Sequence, residues 1–120
     1  MSSDKMMRNC FAVNGSSLLL PEQKIVFSYD IRSVKMANDL YIVLLSIPLD
    51  DPMSRNLYAV KPSGEIDWQV EDPGHWVKDP LPFENLFIDD DKTLRVSDFY
   101  GRVFQIDVHN GQIQNKKSIK

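Results

Sequence analysis

The sequence lacks several features that assign a protein to a class at once. It has a single cysteine, Cys10, so an internal disulfide is excluded. No segment approaches the roughly 20 consecutive apolar residues of a membrane-spanning helix, and the longest apolar run, residues 40–45, has the length of one strand. The first ten residues have no apolar core of the kind found in secretory signals. We therefore expect a cytoplasmic protein that does not enter a membrane.

The chain also lacks a strong excess of charge of one sign. Its net charge is −3 at pH 7, and no stripe of basic residues could follow a phosphate backbone, so nucleic-acid binding is not expected. The acidic charge is uneven, because residues 37–74 carry seven acidic and two basic side chains. This region would suit a basic partner, and a solvated acidic surface is the alternative interpretation.

No segment shows a sustained helical period, whereas alternation of apolar and polar residues recurs. Apolar and polar residues alternate from Ile25 to Arg32, which predicts a half-buried strand, and the change of phase afterwards predicts a bulge near Arg32-Ser33. Residues 40–47 are almost wholly apolar, as expected of a strand covered on both faces. The pattern predicts an all-β chain with little or no helix.

Two segments repeat one strand–turn–strand unit. The segments are Leu57–Trp68 and Val103–Ile113, and each contains a turn that ends in glycine. A similar unit runs from Leu86 to Val96 and turns at residues 89–92, while Asn14-Gly15 predicts a small hairpin near the start. Three prolines in residues 72–82 predict a loop between the units. Such repetition is typical of an antiparallel meander.

The repeated unit resembles half a blade of a quinoprotein-type β-propeller. The resemblance covers residues 56–115 and rests on Leu57-Tyr58-Ala59-Val60, Ser63-Gly64 and Trp68, and on Ile106-Asp107, Asn110-Gly111 and Ile113, with Asn115 near the expected tryptophan. The two glycines are 47 positions apart, close to the length of one blade of roughly 40–50 residues. The chain holds about two blades, whereas a closed propeller needs at least four. No residue matches the cofactor site of that family, so no cofactor is predicted.

These observations predict an antiparallel meander of about eight to ten strands, propeller-blade-like, arranged as a single twisted sheet or as two packed sheets. Residues 1–8 are expected to be disordered, and residues 9–120 to form a single all-β domain. Because two blades leave open sheet edges, we expect a homodimer. In size and pattern the chain also resembles small stand-alone bacterial proteins of uncharacterised function.

A meander places alternate connections at opposite ends of the sheet. The long connections 49–56 and 72–82 and the turn 100–101 fall at one end, and the short turns fall at the other. Long loops often carry binding, and aromatic residues beside arginine are common anchors of recognition. The candidate binding residues at this end are Asp50, Asp51, Met53, Arg55, Asp72, His75, Trp76 and Tyr100.

Each candidate also has a structural interpretation. Trp76 would serve as a plug over the open end of the core, the aspartates would cap turns, and His75 would be an ordinary loop residue. The topology separates His75 from His109, and residues 89–91 suit a hairpin turn better than a calcium loop, so no metal site is predicted. Cys10 has no base assigned to it, and no catalytic residues are predicted.

The first functional hypothesis is a non-enzymatic binding or interaction module, such as an immunity-like or accessory partner of another protein. The alternative is a small-molecule-binding protein or minor enzyme with a pocket among residues 49–56, 72–82 and 100–101. A third possibility is a purely structural part of a larger propeller-like assembly.

Overall fold

The computed structural model describes residues 11–118. The predictions for residues 1–8 and for Cys10 lie outside this range. Within it, eleven β-strands form three antiparallel sheets. Helix in the described range is limited to one 3-10 turn, Pro73–His75. The prediction of an all-β antiparallel fold is confirmed, although the strands divide among three sheets rather than one or two.

The N-terminal sheet begins with the predicted hairpin. Its strands are β1 (Ala12–Asn14), β2 (Ser17–Leu19) and β3 (Lys24–Val26), in the order β1-β2-β3. Asn14 pairs with Ser17, so the turn has two residues. Gly15 has a φ of +62° at the first of them, a conformation that glycine adopts without steric cost.

The central sheet is a four-stranded meander. Its strands are β4 (Ile31–Ala37), β5 (Leu40–Leu45), β6 (Leu57–Val60) and β7 (Ile66–Gln69), in sequence order. A register shift between Ile31 and Ser33 confirms the predicted bulge. Asn38 and Asp39 both have positive φ, +52° and +61°, which gives the tight turn the twist that an antiparallel pair needs.

The C-terminal sheet repeats this arrangement. Its strands are β8 (Phe83–Ile88), β9 (Leu94–Asp98), β10 (Arg102–Ile106) and β11 (Ile113–Ser118), with β11 and β8 at the edges. The turn between β8 and β9 is the aspartate-rich hairpin turn, in which Asp91 accepts a bond from the Thr93 amide and Asp89 pairs with Arg95. Each four-stranded meander therefore has the form of a propeller blade.

The central sheet is the middle layer of three. Along β5, Leu40, Ile42 and Leu44 pack toward the C-terminal sheet, while Tyr41, Val43 and Leu45 pack toward the N-terminal sheet. All six are at most 7% exposed. The uninterrupted apolar sequence of this strand follows from its position, since both of its faces are covered.

The predicted strand from Ile25 to Arg32 is divided in the structure. It bends at residues 27–30, so that β3 belongs to one sheet and β4 to the next. The Phe27 and Ile31 amides donate instead to the carbonyls of Ser16 and Gly15 in the hairpin turn. Every second side chain continues to face inward through the bend, so the alternation of apolar and polar residues did not reveal that the strand is divided.

A glycine turn fastens the central sheet to the C-terminal sheet. A Cβ at Gly111 would lie 2.5 Å from Cε3 of Trp68, so only glycine allows the indole to pack there. The indole Nε1 donates to the Val108 carbonyl at 2.8 Å. The Glu71 amide donates to the Gly111 carbonyl, and the Glu71 carboxylate accepts from the Ile113 amide. Trp68 is therefore a core residue, as predicted.

Ile66 differs from the prediction. The sequence pattern placed it on one buried face with Trp68 and Val70. Trp68 and Val70 are buried, but Ile66 is 46% exposed. A register shift pairs Val60 with Ile66 and Ala59 with Trp68, and this bulge breaks the regular alternation of faces.

Candidate functional site

Three connections meet at one end of the stacked sheets: the loop 46–56, the segment 71–82 and the turn 99–101. We call this the long-loop end. Arg55 Nε, in the first connection, donates at 2.8 Å to the carbonyl of Val70, which directly precedes the second, and Arg102, which directly follows the third, donates to the Asp79 carbonyl in the second. At the opposite end, Asn38 Nδ2 lies 3.3 Å from His109 Nδ1. Long and short connections are thus separated as the meander predicts.

Asn56, which was not identified from the sequence, forms hydrogen bonds that connect two sheets at the long-loop end. Its side chain is fully buried. The amide nitrogen donates to the carbonyls of Leu45 and Phe83 at 2.8 and 2.9 Å, and the amide oxygen accepts the Phe83 N–H at 2.9 Å. One side chain therefore completes backbone bonding in both the central and the C-terminal sheet.

The loop 46–56 is held by Asp51. Its carboxylate accepts the Tyr29 hydroxyl at 2.8 Å and the Met53 amide at 2.9 Å. The bond to Asp51, together with partial burial, raises the pKa of Tyr29 above its ordinary value. Asp50 is exposed in the same turn, and the neighbouring Leu49 is fully exposed.

Arg55 and Met53 help to order this loop. The Arg55 amide donates to Met53 Sδ at 3.3 Å, while the Arg55 carbonyl accepts from Gln69 Nε2 at 2.8 Å. Gln69 Nε2 also lies 3.0 Å from the Tyr58 hydroxyl. The guanidinium of Arg55 is thus already engaged with the end of β7.

The segment 71–82 contains three of the candidate residues. Asp72 caps the 3-10 turn, since its carboxylate accepts the Gly74 amide at 2.9 Å. His75 is exposed, and Trp76 is 37% exposed. Val77, the next residue, packs against the core.

A buried aspartate shapes the turn after β9. Asp98 is 4% exposed. Its Oδ1 accepts the amides of Tyr100 and Arg102 at 3.0 and 3.1 Å, and its Oδ2 accepts Arg102 Nε at 2.7 Å. Gly101 completes the turn with a φ of +80°. Three bonds to one carboxylate fix the direction in which this turn points.

Arg102 connects the turn to the neighbouring segment. Its Nη1 lies 3.3 Å from Asp79 Oδ1, and its Nη2 donates to the Asp79 carbonyl at 3.1 Å. Burial acts to lower the pKa of Arg102, but the bonds to Asp98 and Asp79 outweigh it, so the pKa is raised. The guanidinium lies 5.2 Å from the centre of the Tyr100 ring.

Two aromatic rings stand out from this fixed turn. Phe99 is 75% exposed and Tyr100 is 55% exposed, with ring centres 6.2 Å apart. Tyr100 was predicted as a binding residue, whereas Phe99 was not. The two adjacent aromatic residues could have predicted this exposure, because neighbouring residues at a turn cannot both enter the core as alternate strand residues do.

Within residues 11–118, no group of three or more His, Cys, Asp and Glu side chains is arranged to hold a metal ion. The same range has no helix long and apolar enough to cross a membrane. An open cleft of about 410 Å³ lies beside the loop 46–56 and is lined by Ser16, Ser28, Tyr29, Asp30, Ser46, Ile47 and Pro48.

The blade-like meanders define an all-β protein of propeller-like architecture. Residues 7–118 match the family model described as "Domain of unknown function (DUF7957)", and the chain belongs to this family. A search of curated proteins found no match.

Among solved structures, the fold is similar to the crystal structure of BamB from Moraxella catarrhalis, a β-propeller. The TM-score is 0.54 and the sequence identity is 12%, over 92% of this chain and 35% of the BamB chain. This chain therefore spans about a third of the length of BamB, and the likeness shows the fold alone.

Proposed function

We propose that this protein is a non-enzymatic interaction module that binds another protein through its long-loop end. The observation that carries the proposal is the location of exposed apolar side chains. Nine large hydrophobic residues are exposed in the described range, and four of them belong to this end: Leu49, Trp76, Phe99 and Tyr100. Exposed aromatic side chains of this kind are common anchors of protein interfaces.

The anchors are also held in place before binding. Asp98 fixes the turn that carries Phe99 and Tyr100, and Arg102 joins that turn to Asp79. A side chain that is already ordered loses less conformational entropy when a partner covers it. The geometry therefore suits recognition better than catalysis.

The proposal extends to biological setting. An accessory or immunity-like role in the cytoplasm fits the low cysteine content and the acidic character of the sequence. We also propose that the repeated unit shares ancestry with quinoprotein-type blades, because each four-stranded meander has the form of one blade.

Site-specific photo-crosslinking tests the proposed surface. A photoreactive phenylalanine analogue replaces Phe99 in cells that make the protein, and the matched control replaces Phe87, which is 44% exposed in β8. We expect a discrete adduct from position 99 only, weakened when Tyr100→Ala is added. Equal adducts from both positions, or none from position 99, would refute the proposal.

A small-molecule role has one specific observation in its favour. The cleft beside the loop 46–56 is lined by three serines, Tyr29 and Asp30, and none of its lining residues belongs to residues 49–56, 72–82 or 100–101, where the pocket was predicted. A thermal-shift screen of polar metabolites would favour this second function if a compound raised the melting temperature of the natural protein but not of Ser28→Val.

A further inference from the structure

We infer that the Phe99–Tyr100 pair receives cationic side chains, arginine or lysine, from a basic segment of the partner protein. This inference rests on the proposed function and specifies the chemistry of the partner. Three features support it: the exposed aromatic faces, the acidic side chains of the long-loop end, and the fact that Arg55 and Arg102 are already bonded within the chain.

The aromatic pair already accepts one cation. Arg102 lies over the Tyr100 ring at 5.2 Å, within the range in which a guanidinium is attracted to the negative face of an aromatic ring. Phe99, tilted by 53° against Tyr100, is three-quarters exposed and offers a second ring to solvent. The chain thus demonstrates, with its own arginine, the contact that a partner would repeat.

The charges of the long-loop end as a whole favour an incoming cation. The residues of the long-loop end together with its Asp98–Arg102 pair carry six acidic and three basic side chains. Two of the three basic groups are engaged within the chain: Arg55 with the Val70 carbonyl, and Arg102 with Asp98 and Asp79. The Asp79 side chain is nevertheless 68% exposed, and it lies on the Arg102 side of the pair.

This combination selects among partners. A nucleic acid or an anionic membrane surface would be repelled by the carboxylates. A purely apolar surface would leave Asp50 without a counter-charge and Asp79 with Arg102 as its only one. A protein segment with arginine or lysine beside apolar residues satisfies both the rings and the carboxylates.

Amide NMR spectra of the full chain test the inference with defined probes: tetra-arginine, tetra-lysine and tetra-glutamate peptides. We expect tetra-arginine to shift the Phe99, Tyr100 and Asp79 signals, tetra-lysine to shift the same signals more weakly, and tetra-glutamate to leave them unchanged. Added salt weakens the effect. Phe99→Ala weakens the binding of tetra-arginine by about fivefold, whereas Phe87→Ala leaves it unchanged.

The turn Asp89-Asp90-Asp91 is an internal control, because it carries three carboxylates and no aromatic residue. Shifts there as large as those at residues 99–100 would show simple charge attraction and overturn the inference, as would shifts confined to other surfaces. Unshifted signals at residues 99–100 would also overturn it. If crosslinking from position 99 succeeds while the peptides fail, the interaction module stands and only its cationic specificity is wrong.

Discussion

Replacing Asn56 by alanine should remove a large part of the stability of this protein. The side chain is fully buried and makes three hydrogen bonds of 2.8 to 2.9 Å to backbone groups of Leu45 and Phe83. These groups belong to different sheets, at the end of β5 and the start of β8. Alanine offers no replacement partner for them.

The expected cost follows from the groups left behind. A buried donor or acceptor without a partner costs about 1–3 kcal/mol. Asn56→Ala strands the Phe83 N–H and weakens the bonding of two carbonyls, so we expect a loss of about 3–5 kcal/mol. Small domains have about 5–15 kcal/mol of total stability, so this single change removes about a fifth of it or more.

Urea unfolding, followed by the fluorescence of the buried Trp68, measures the loss. The control is Asn85→Ala, because Asn85 is exposed and makes one side-chain bond to Ser97 at 3.2 Å. We expect the control to lose less than about 0.5 kcal/mol. A loss below about 1 kcal/mol for Asn56→Ala, with an unchanged dependence on urea, would refute the reasoning.

Three further predictions concern other parts of the fold. Gly111→Ala places a Cβ against Trp68 at a φ of +79° and should cost at least about 2 kcal/mol, whereas Gly15→Ala meets only a distant Asp30 and should cost about half as much; equal losses in thermal unfolding would contradict the docking argument. The raised pKa of Tyr29 predicts that stability from its bond to Asp51 is present below pH about 10 and is lost as pH rises through the folded-state pKa. Asp51→Ala should therefore shift the ultraviolet titration of tyrosinate to lower pH, and an unchanged curve would count against the assignment. The homodimer stays a prediction, for which light scattering should give twice the chain mass of 13.8 kDa; the mass of one chain would refute it.

The sequence predicted the strands where alternation and turn residues agreed. The bulge near Ser33, the burial of Trp68 and the turn at residues 89–92 follow from local rules of this kind. The third sheet did not follow, because Phe27 and Tyr29 keep facing inward while the backbone bends. Apolar–polar alternation with a period of two indicates which face of a sheet a residue occupies. It does not indicate which strand the backbone of that residue is hydrogen-bonded to.

The candidate site was predicted at the level of loops rather than of contacts. The meander was enough to bring residues 49–56, 72–82 and 100–101 to one end. The role of Asn56 depends on the Phe83 amide, 27 positions away, which only the folded chain brings within bonding distance. Asp98 instead bonds to amides two and four positions away, a local turn pattern that was not identified from the sequence. An isolated polar residue beside a strand has many possible partners, so its sequence position gives no basis for choosing among them.

The docking of Trp68 on Gly111 has a consequence for the order of events during synthesis. The indole and its carbonyl partner, Val108, lie 40 positions apart in the chain. A growing chain therefore displays the inner surface of β7 on the ribosome until the final hairpin emerges. We expect this interval to be the time when nascent chains are most open to chaperones, and when a truncated product would be degraded.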